Sequence, residues 1–211
     1  MPKRAPLFYT LPGVGGGQAR GRTFRLLLGE ARVLVRRGRI PSVAEVAQSA
    51  GVSRATAYRY FPSRSKLVGA LVAEALAPVR EHVPRVGEDG LARLKILIDK
   101  TYPRFRKYEA QMRAALKLAL EHRALELAGL LEEEPFRRGQ RREILRLATE
   151  PLKKKLSKPA YDRLLNALSV VYGIEPFIVL KDICGASDRE TEAVVRWMMD
   201  ALVDAALREA K

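Results

Sequence analysis

Cysteine, histidine and long apolar runs are scarce in this sequence. A single cysteine, Cys184, excludes a disulfide within the chain and is compatible with a reducing compartment. No stretch approaches the roughly 20 apolar residues that a membrane-spanning helix needs. The basic N-terminus runs into prolines and glycines instead of the apolar segment of an export signal. We therefore expect a cytoplasmic protein with no membrane partner.

A catalytic or metal-binding constellation is also missing from the sequence. His82 and His122 have no evident partners and are expected at the surface, whereas Cys184 is expected to be a buried, small apolar group. The acidic residues 132–134 are consecutive, so they are expected to point around a helix and not to converge on a metal. The glycines at 15–17 lack the Lys-Ser or Lys-Thr of a phosphate-binding loop. We therefore expect that the protein is not an enzyme and that it has no cofactor and no metal site.

Positive charge, by contrast, is abundant and unevenly distributed. The chain has 39 Lys and Arg against 24 Asp and Glu, for a formal net charge of +15. Residues 1–80 hold 14 basic and 3 acidic residues, whereas the rest of the chain holds 25 and 21. A local basic excess favours a polyanion, because each neutralised phosphate releases condensed counterions. A solvated basic surface is the alternative that charge alone leaves open.

Helical periodicity dominates after a basic tail, rich in glycine and proline, that we predict over residues 1–21. Apolar residues recur at steps of three and four from Arg22 onwards, and no alternation of valine and isoleucine predicts a sheet. Later helices are predicted near residues 90–108, 109–133, 136–156, 158–182 and 187–209. Pro176 predicts a kink or break in the fourth of these. The expected fold is all-α, with one domain over residues 22–80 and a second over residues 81–211.

The segment from Ser42 to Tyr60 has the spacing of a helix-turn-helix motif. Ser42 and Glu45 have the sequence of a capping box and begin a first short helix, which Gly51 ends. Ser53 caps a second short helix. In such a motif the second helix lies in the major groove of DNA, with its N-terminal residues nearest the bases. A short helix pair around a glycine is also common in other helical proteins, so this spacing alone leaves both interpretations open.

The second helix of this motif carries side chains that suit DNA. Arg54 can form a bidentate contact with a guanine, and Ala55 permits a close approach or meets a thymine methyl group. The hydroxyl groups of Thr56, Tyr58 and Tyr60 can bind phosphates, which fix the register of a protein on the duplex.

The same stretch carries a long, ordered residue pattern. An Ala-Gly-Val-Ser turn precedes a threonine and a tyrosine inside the second helix, and Tyr-Phe, a serine and a leucine follow. The matching positions are Ala50, Gly51, Val52, Ser53, Thr56, Tyr58, Tyr60, Phe61, Ser63 and Leu67. This pattern resembles the DNA-binding segment of the tetracycline-repressor (TetR) family of bacterial regulators, over roughly residues 22–80. Ala57 departs from it, because the family usually has a larger apolar residue there, and Arg64 stands where the family often has lysine.

The resemblance implies a sequence-specific, DNA-binding transcription regulator. The DNA-contacting candidates are Ser42, Ser53, Arg54, Ala55, Thr56, Tyr58, Arg59, Tyr60 and Arg64. The resemblance further implies a repressor that a small effector releases from a palindromic operator in double-stranded DNA. The helix that begins near Ser63 would then transmit the effect of the ligand from the C-terminal domain to the DNA-binding domain. It also implies a homodimer formed through the last two helices. The alternative is a nonspecific architectural DNA-binding protein, which the charge permits.

The C-terminal half is expected to bind the effector and to form the dimer. Its aromatic and methionine residues suit a small, largely apolar ligand, because methionine packs around varied shapes. The candidate lining residues are Tyr102, Phe105, Met112, Leu116, Leu120, Tyr172 and Phe177. A broad apolar stripe in the last helix, which includes Val194, Met198 and Leu202, is wider than one neighbouring helix needs. Ordinary core is the alternative for both sets of residues.

Overall fold

The computed structural model describes residues 18–82, 89–136 and 140–210, and the regular secondary structure within them is entirely helical. The all-α prediction is confirmed. The first helices are α1 (Gln18–Arg36), α2 (Val43–Ser49), α3 (Arg54–Tyr60), α4 (Arg64–His82), α5 (Gly90–Lys107) and α6 (Glu109–Leu127). The later ones are α7 (Gln140–Ala148), α8 (Lys158–Val171), α9 (Glu175–Phe177) and α10 (Asp188–Arg208), with a 3-10 turn at Glu150–Lys154 and a π-helical turn at Ile178–Ile183.

Several helix ends differ from their predicted positions. α1 already begins at Gln18, so residues 18–21 are helical, and the rest of the predicted tail lies outside the described residues. α6 ends at Leu127, earlier than predicted, because the chain turns at Gly129, whose φ of 70° ends the helix at low cost. The predicted helix over residues 136–156 is divided into α7 and the 3-10 turn. Helix ends set by backbone geometry in this way are poorly marked by periodicity.

The break predicted at Pro176 lies before the proline. α8 ends at Val171, Tyr172 has an extended backbone, and Pro176 occupies one of the first two positions of α9. A proline in the first turn costs little, because the amide it lacks has no partner within the helix. The proline therefore begins a new helical segment and does not bend the old one.

An arginine bridges the two sides of this break. Arg141 donates from Nη1 to the Ser169 carbonyl oxygen at 2.8 Å and from Nη2 to Glu175 Oε2 at 2.5 Å. Gly173 lies so close to the guanidinium that a Cβ atom there would be 2.2 Å from Nη2. The glycine thus leaves the space that the arginine fills.

Packing divides the described chain into two units that differ from the predicted domains. The head comprises residues 18–75 and 108–136, and the body comprises residues 76–82, 89–107 and 140–210. The predicted boundary after residue 80 does not follow this division, because α6 packs against α1 and contributes Ala114 to the core of the head. α4 runs through the boundary between Ala75 and Leu76.

The head is built around one apolar cluster. α1 contributes the face that its periodicity predicts, and α2, α3 and α4 close over it; the most buried members are Leu27, Ala31, Val46, Ala47, Ala57, Phe61, Leu67 and Ala70, each with no exposed surface. The rings of Phe24 and Phe61 lie 5.3 Å apart between centroids. This core packs beneath both helices of the helix-turn-helix.

In the body, α8 and α10 pack against each other, and α5 packs against α10. The ion pairs Arg106–Glu192, Asp99–Arg196 and Lys95–Asp200 run in opposite order along the two sequences, so α5 and α10 are antiparallel. No single described helix is long and apolar enough to cross a membrane; the bent pair Lys158–Val171 and Glu175–Ile183, with 49° between its parts, meets that test by length and composition.

Candidate nucleic-acid interface

The first helix of the motif begins at the predicted capping box. Ser42 Oγ accepts from the Glu45 amide at 3.1 Å, and Glu45 Oε2 accepts from the Ser42 amide at 2.8 Å. These hydrogen bonds, first that from the Ser42 backbone, hold the pKa of the Glu45 carboxyl below its ordinary value. Arg39 also forms an ion pair with Glu45. The start of α2 is therefore held in place by local contacts.

The second helix begins with an equally local arrangement. Ser53 Oγ accepts from the Thr56 amide at 3.1 Å and lies 2.9 Å from Thr56 Oγ1. Gly51, with φ 65°, makes the turn between the two helices. Two predicted contact residues, Ser53 and Thr56, thus hydrogen-bond to each other and fix the start of α3.

One face of α3 is buried and the other is open. Ala57 and Phe61 have no exposed surface, so the small side chain at position 57 fills a site in the core of the head. Tyr60 is half-buried against the same core. The exposed side carries four of the predicted contact residues, namely Arg54, Ala55, Tyr58 and Arg59. The exposed side of the helix therefore carries two guanidinium groups, a phenol and a methyl group.

The structure adds Arg20 to this surface. A cleft of about 420 Å³ is lined by Ala19, Arg20, Thr23, Arg59 and Tyr60, so it joins the beginning of α1 to the end of α3. Arg20 falls within the predicted tail, because periodicity does not reveal that α1 starts at Gln18. Two cationic side chains that share one cleft form a surface beside α3 that attracts anions.

Arg64, the last predicted contact residue, is already paired within the head. Its Nη2 atom lies 2.6 Å from Glu121 Oε1, and its Nε atom lies 3.8 Å from Glu133 Oε1. These carboxylates come from α6 and from the segment after it, more than 50 positions along the chain. No local pattern around Arg64 could have predicted them.

The predicted effector residues fall into two groups. The rings of Tyr102, Phe105, Tyr172 and Phe177 form one cluster in the body, with centroids 5.2 to 6.0 Å apart. Burial raises the pKa of both tyrosines, and the Tyr172 hydroxyl lies 2.9 Å from Thr101 Oγ1. The other three, Met112, Leu116 and Leu120, belong to the head, and Leu120 is 63% exposed.

Three further expectations are wrong. His122 is buried, not at the surface: its Nδ1 atom accepts from the Phe136 amide at 3.1 Å, and Nε2 lies 3.1 Å from Glu133 Oε1. Cys184 is exposed and directly follows the π-helical turn at Ile178–Ile183. Residues 132–134 lie in the segment after α6 and not on a helix. Within the described ranges no group of three or more His, Cys, Asp and Glu residues is arranged to hold a metal ion.

Residues 32–71 match the family model described as bacterial regulatory proteins, tetR family. The match begins within α1 and ends within α4, so it includes the whole helix-turn-helix and confirms the resemblance in the sequence. No curated protein and no solved structure matches the chain.

Proposed function

We propose that this chain, a DNA-binding transcription regulator of the tetR family, is a repressor that binds a palindromic operator as a homodimer. A small, largely apolar effector would release it. The observation that carries the proposal is the exposed face of α3, which presents Arg54 and Ala55 at the end that enters the major groove.

The division of labour along α3 supports sequence-specific binding. Arg54 and Ala55 are free to meet base edges, whereas Arg59 lies at the other end of the helix, in the cleft that it shares with Arg20. Base contacts specify a sequence and phosphate contacts position the protein on it. A nonspecific architectural protein needs only the second kind of contact.

The outward surface of the last helices supports a homodimer. α10 carries an apolar stripe at helical spacing that its partners in the body leave at least partly open: Val194, Trp197, Met198, Ala201 and Ala205. Trp197 is 70% exposed, and so is Val170 on the adjacent α8. A two-fold interface would place this apolar patch against its own copy, and two-fold symmetry suits a palindrome.

The aromatic cluster of the body supports an apolar effector. Tyr102, Phe105, Tyr172 and Phe177 are buried together, and Phe177 adjoins the break before α9. A ligand that inserts among these rings would favour one arrangement of the surrounding helices over another. α4 is the proposed lever, because it has residues in both the head and the body. DNA affinity would fall by the ratio of effector affinities for the two states.

The decisive experiment is binding of the purified full chain to random duplexes at about 150 mM salt, with sequencing of the retained fraction. We expect an enriched palindrome, bound about 10³-fold or more tightly than bulk DNA. Retention without enrichment would favour the architectural alternative, and absence of retention would contradict DNA binding through α3. The enriched duplex then serves to screen small apolar molecules for release.

A further inference from the structure

The start of α4 is held by an acidic segment of the same head. We call residues 128–136, which follow α6, the acidic loop. The Ser65 hydroxyl donates to the Glu134 carbonyl oxygen at 3.2 Å, and Lys66 Nζ lies 2.9 Å from Glu134 Oε2. Both residues belong to the first turn of α4, so the acidic loop lies directly against it.

Arg64 in the same turn is held between two carboxylates. Glu121, on α6, approaches Nη2 at 2.6 Å, and Glu133, in the acidic loop, lies 3.8 Å from Nε. The Arg64 side chain is only 26% exposed. An isolated surface ion pair is worth little, but charges that form a network on anchored side chains are held more firmly.

The acidic loop is anchored by a buried histidine. His122 Nδ1 accepts the Phe136 amide, and its Nε2 atom lies beside Glu133. The Phe136 ring packs against the buried cluster of Val68, Ala115 and Leu118. The contacts of His122 and Phe136 therefore hold Glu133 in its position beside Arg64.

The same turn of α4 has the properties of a phosphate-binding end. It starts three residues after α3, it carries Arg64 and Lys66, and its first backbone amides point out of the helix. The Lys66 amide is already capped by Ser63 Oγ at 3.2 Å, so the side chains of Arg64 and Lys66 are the main groups that this turn offers to a phosphate. A guanidinium binds a carboxylate and a phosphate through the same hydrogen-bonding edge, so the two partners exclude each other.

We propose that Glu121 and the acidic loop compete with the DNA backbone for Arg64 and Lys66. Binding of DNA at this end of α4 then requires the exchange of a carboxylate for a phosphate, and the carboxylates weaken the affinity for every duplex. The inference rests on the proposed DNA binding through α3 and α4, but it does not depend on a palindrome, an effector or the sign of regulation.

The test compares carboxylate variants on one random-sequence duplex over a range of salt concentrations. The double variant Glu121→Gln/Glu133→Gln removes both charges from Arg64. We expect several-fold tighter binding with a little-changed salt slope, because Arg64 contacts a phosphate in both complexes and the variant only avoids the cost of releasing the carboxylates. The matched control is Glu132→Gln, which removes a charge from an exposed residue of the same loop for which the described residues show no ion pair. We expect a smaller gain in affinity and an unchanged slope for it.

A thermodynamic cycle separates competition from a change in folding. In an Arg64→Gln background, the two glutamate substitutions should raise affinity only by the general gain that Glu132→Gln shows for each charge removed. Circular dichroism spectra show whether each variant is folded. Equal binding by the wild type, the double variant and the control would overturn the inference while leaving the proposed function intact. No binding of any duplex by any of them would overturn both.

Discussion

The head and the body expose opposite chemistry at the surfaces that we assign to their partners. The open side of α3 presents arginine and tyrosine over a core that is closed beneath it. The open side of α8 and α10 presents Val170 and Trp197, each 70% exposed. A charged, exposed helix face suits a polyanion, whereas an apolar one suits a second protein surface. The proposed DNA binding and the proposed dimer formation therefore make separate demands on the two units.

Glycine also has different roles in the two units. In the head, Gly51 has a positive φ of 65° and open space around it. In the body, Gly90 is buried, and a Cβ atom there would lie 2.5 Å from Leu152 Cγ. The first glycine is required by the backbone conformation and the second by a close approach of two segments.

The largest effect is expected from the apolar face of the body. Trp197→Arg places a charge in the proposed interface and should convert the dimer to a monomer, as sedimentation would show. Operator affinity should then fall about 100-fold or more, because the two heads no longer bind together. The control is Leu127→Arg, at a residue of the head that is 72% exposed. This substitution should leave the oligomeric state unchanged in sedimentation. A Trp197→Arg variant that remains dimeric would place the interface elsewhere.

The next effect separates the two ends of α3. Arg54→Ala should cost about 1–3 kcal/mol on the enriched duplex and relax the preference at one base position. Arg59→Ala should weaken all duplexes alike and lower the salt slope by about 0.9 per protomer. Titrations of the enriched duplex, and of duplexes with single base changes, would measure both. If the two substitutions have the same sequence profile, α3 does not read bases through Arg54.

The two glycines allow a third comparison, in urea unfolding. Gly90→Ala should destabilise the body by about 1–3 kcal/mol, because Leu152 has to move away from the new Cβ atom. Gly51→Ala should cost about 1–2 kcal/mol from backbone strain alone. The substitution Leu152→Ala makes room for the Cβ atom and should remove part of the penalty at position 90 but none at position 51. An unchanged penalty would show that the contact is not the cause.

The smallest effect concerns the capping boxes, which occur in both units. Glu45 and Glu190 each have a pKa held below the ordinary value of 4.5 by hydrogen bonds from Ser42 and Ser187. A lowered pKa contributes stability that is fully present above 4.5 and is lost as the pH falls through the lowered pKa. Glu45→Gln and Glu190→Gln should therefore reduce Tm at neutral pH and flatten its decline in acid. Melting curves between about pH 7 and about pH 3 would test this. A difference from the wild type that persists in strong acid would exclude the carboxylate as its source.

The head shows which structural features can be predicted from the sequence. The start of α2 at Ser42, the start of α3 at Ser53 and the turn at Gly51 all agree with the prediction, because each rests on contacts between residues a few positions apart. The same holds in the body for the start of α10 after Ser187. Of the predicted contact residues of α3, Arg54, Ala55, Tyr58 and Arg59 are exposed and Thr56 and Tyr60 are half-buried. The contacts of Arg64 depend on carboxylates that are distant in sequence.

Local features of the sequence specified the all-helical class, the helix-turn-helix and the resemblance to the tetR family, because caps, periodicity and an ordered motif are local properties. Only the tertiary structure decided that α6 belongs with the head, that His122 is buried, that Arg64 meets Glu121 and Glu133, and that the break before α9 forms around Arg141. These features depend on which distant segments pack together. Such contacts join residues whose separation along the chain leaves no periodic or local signal.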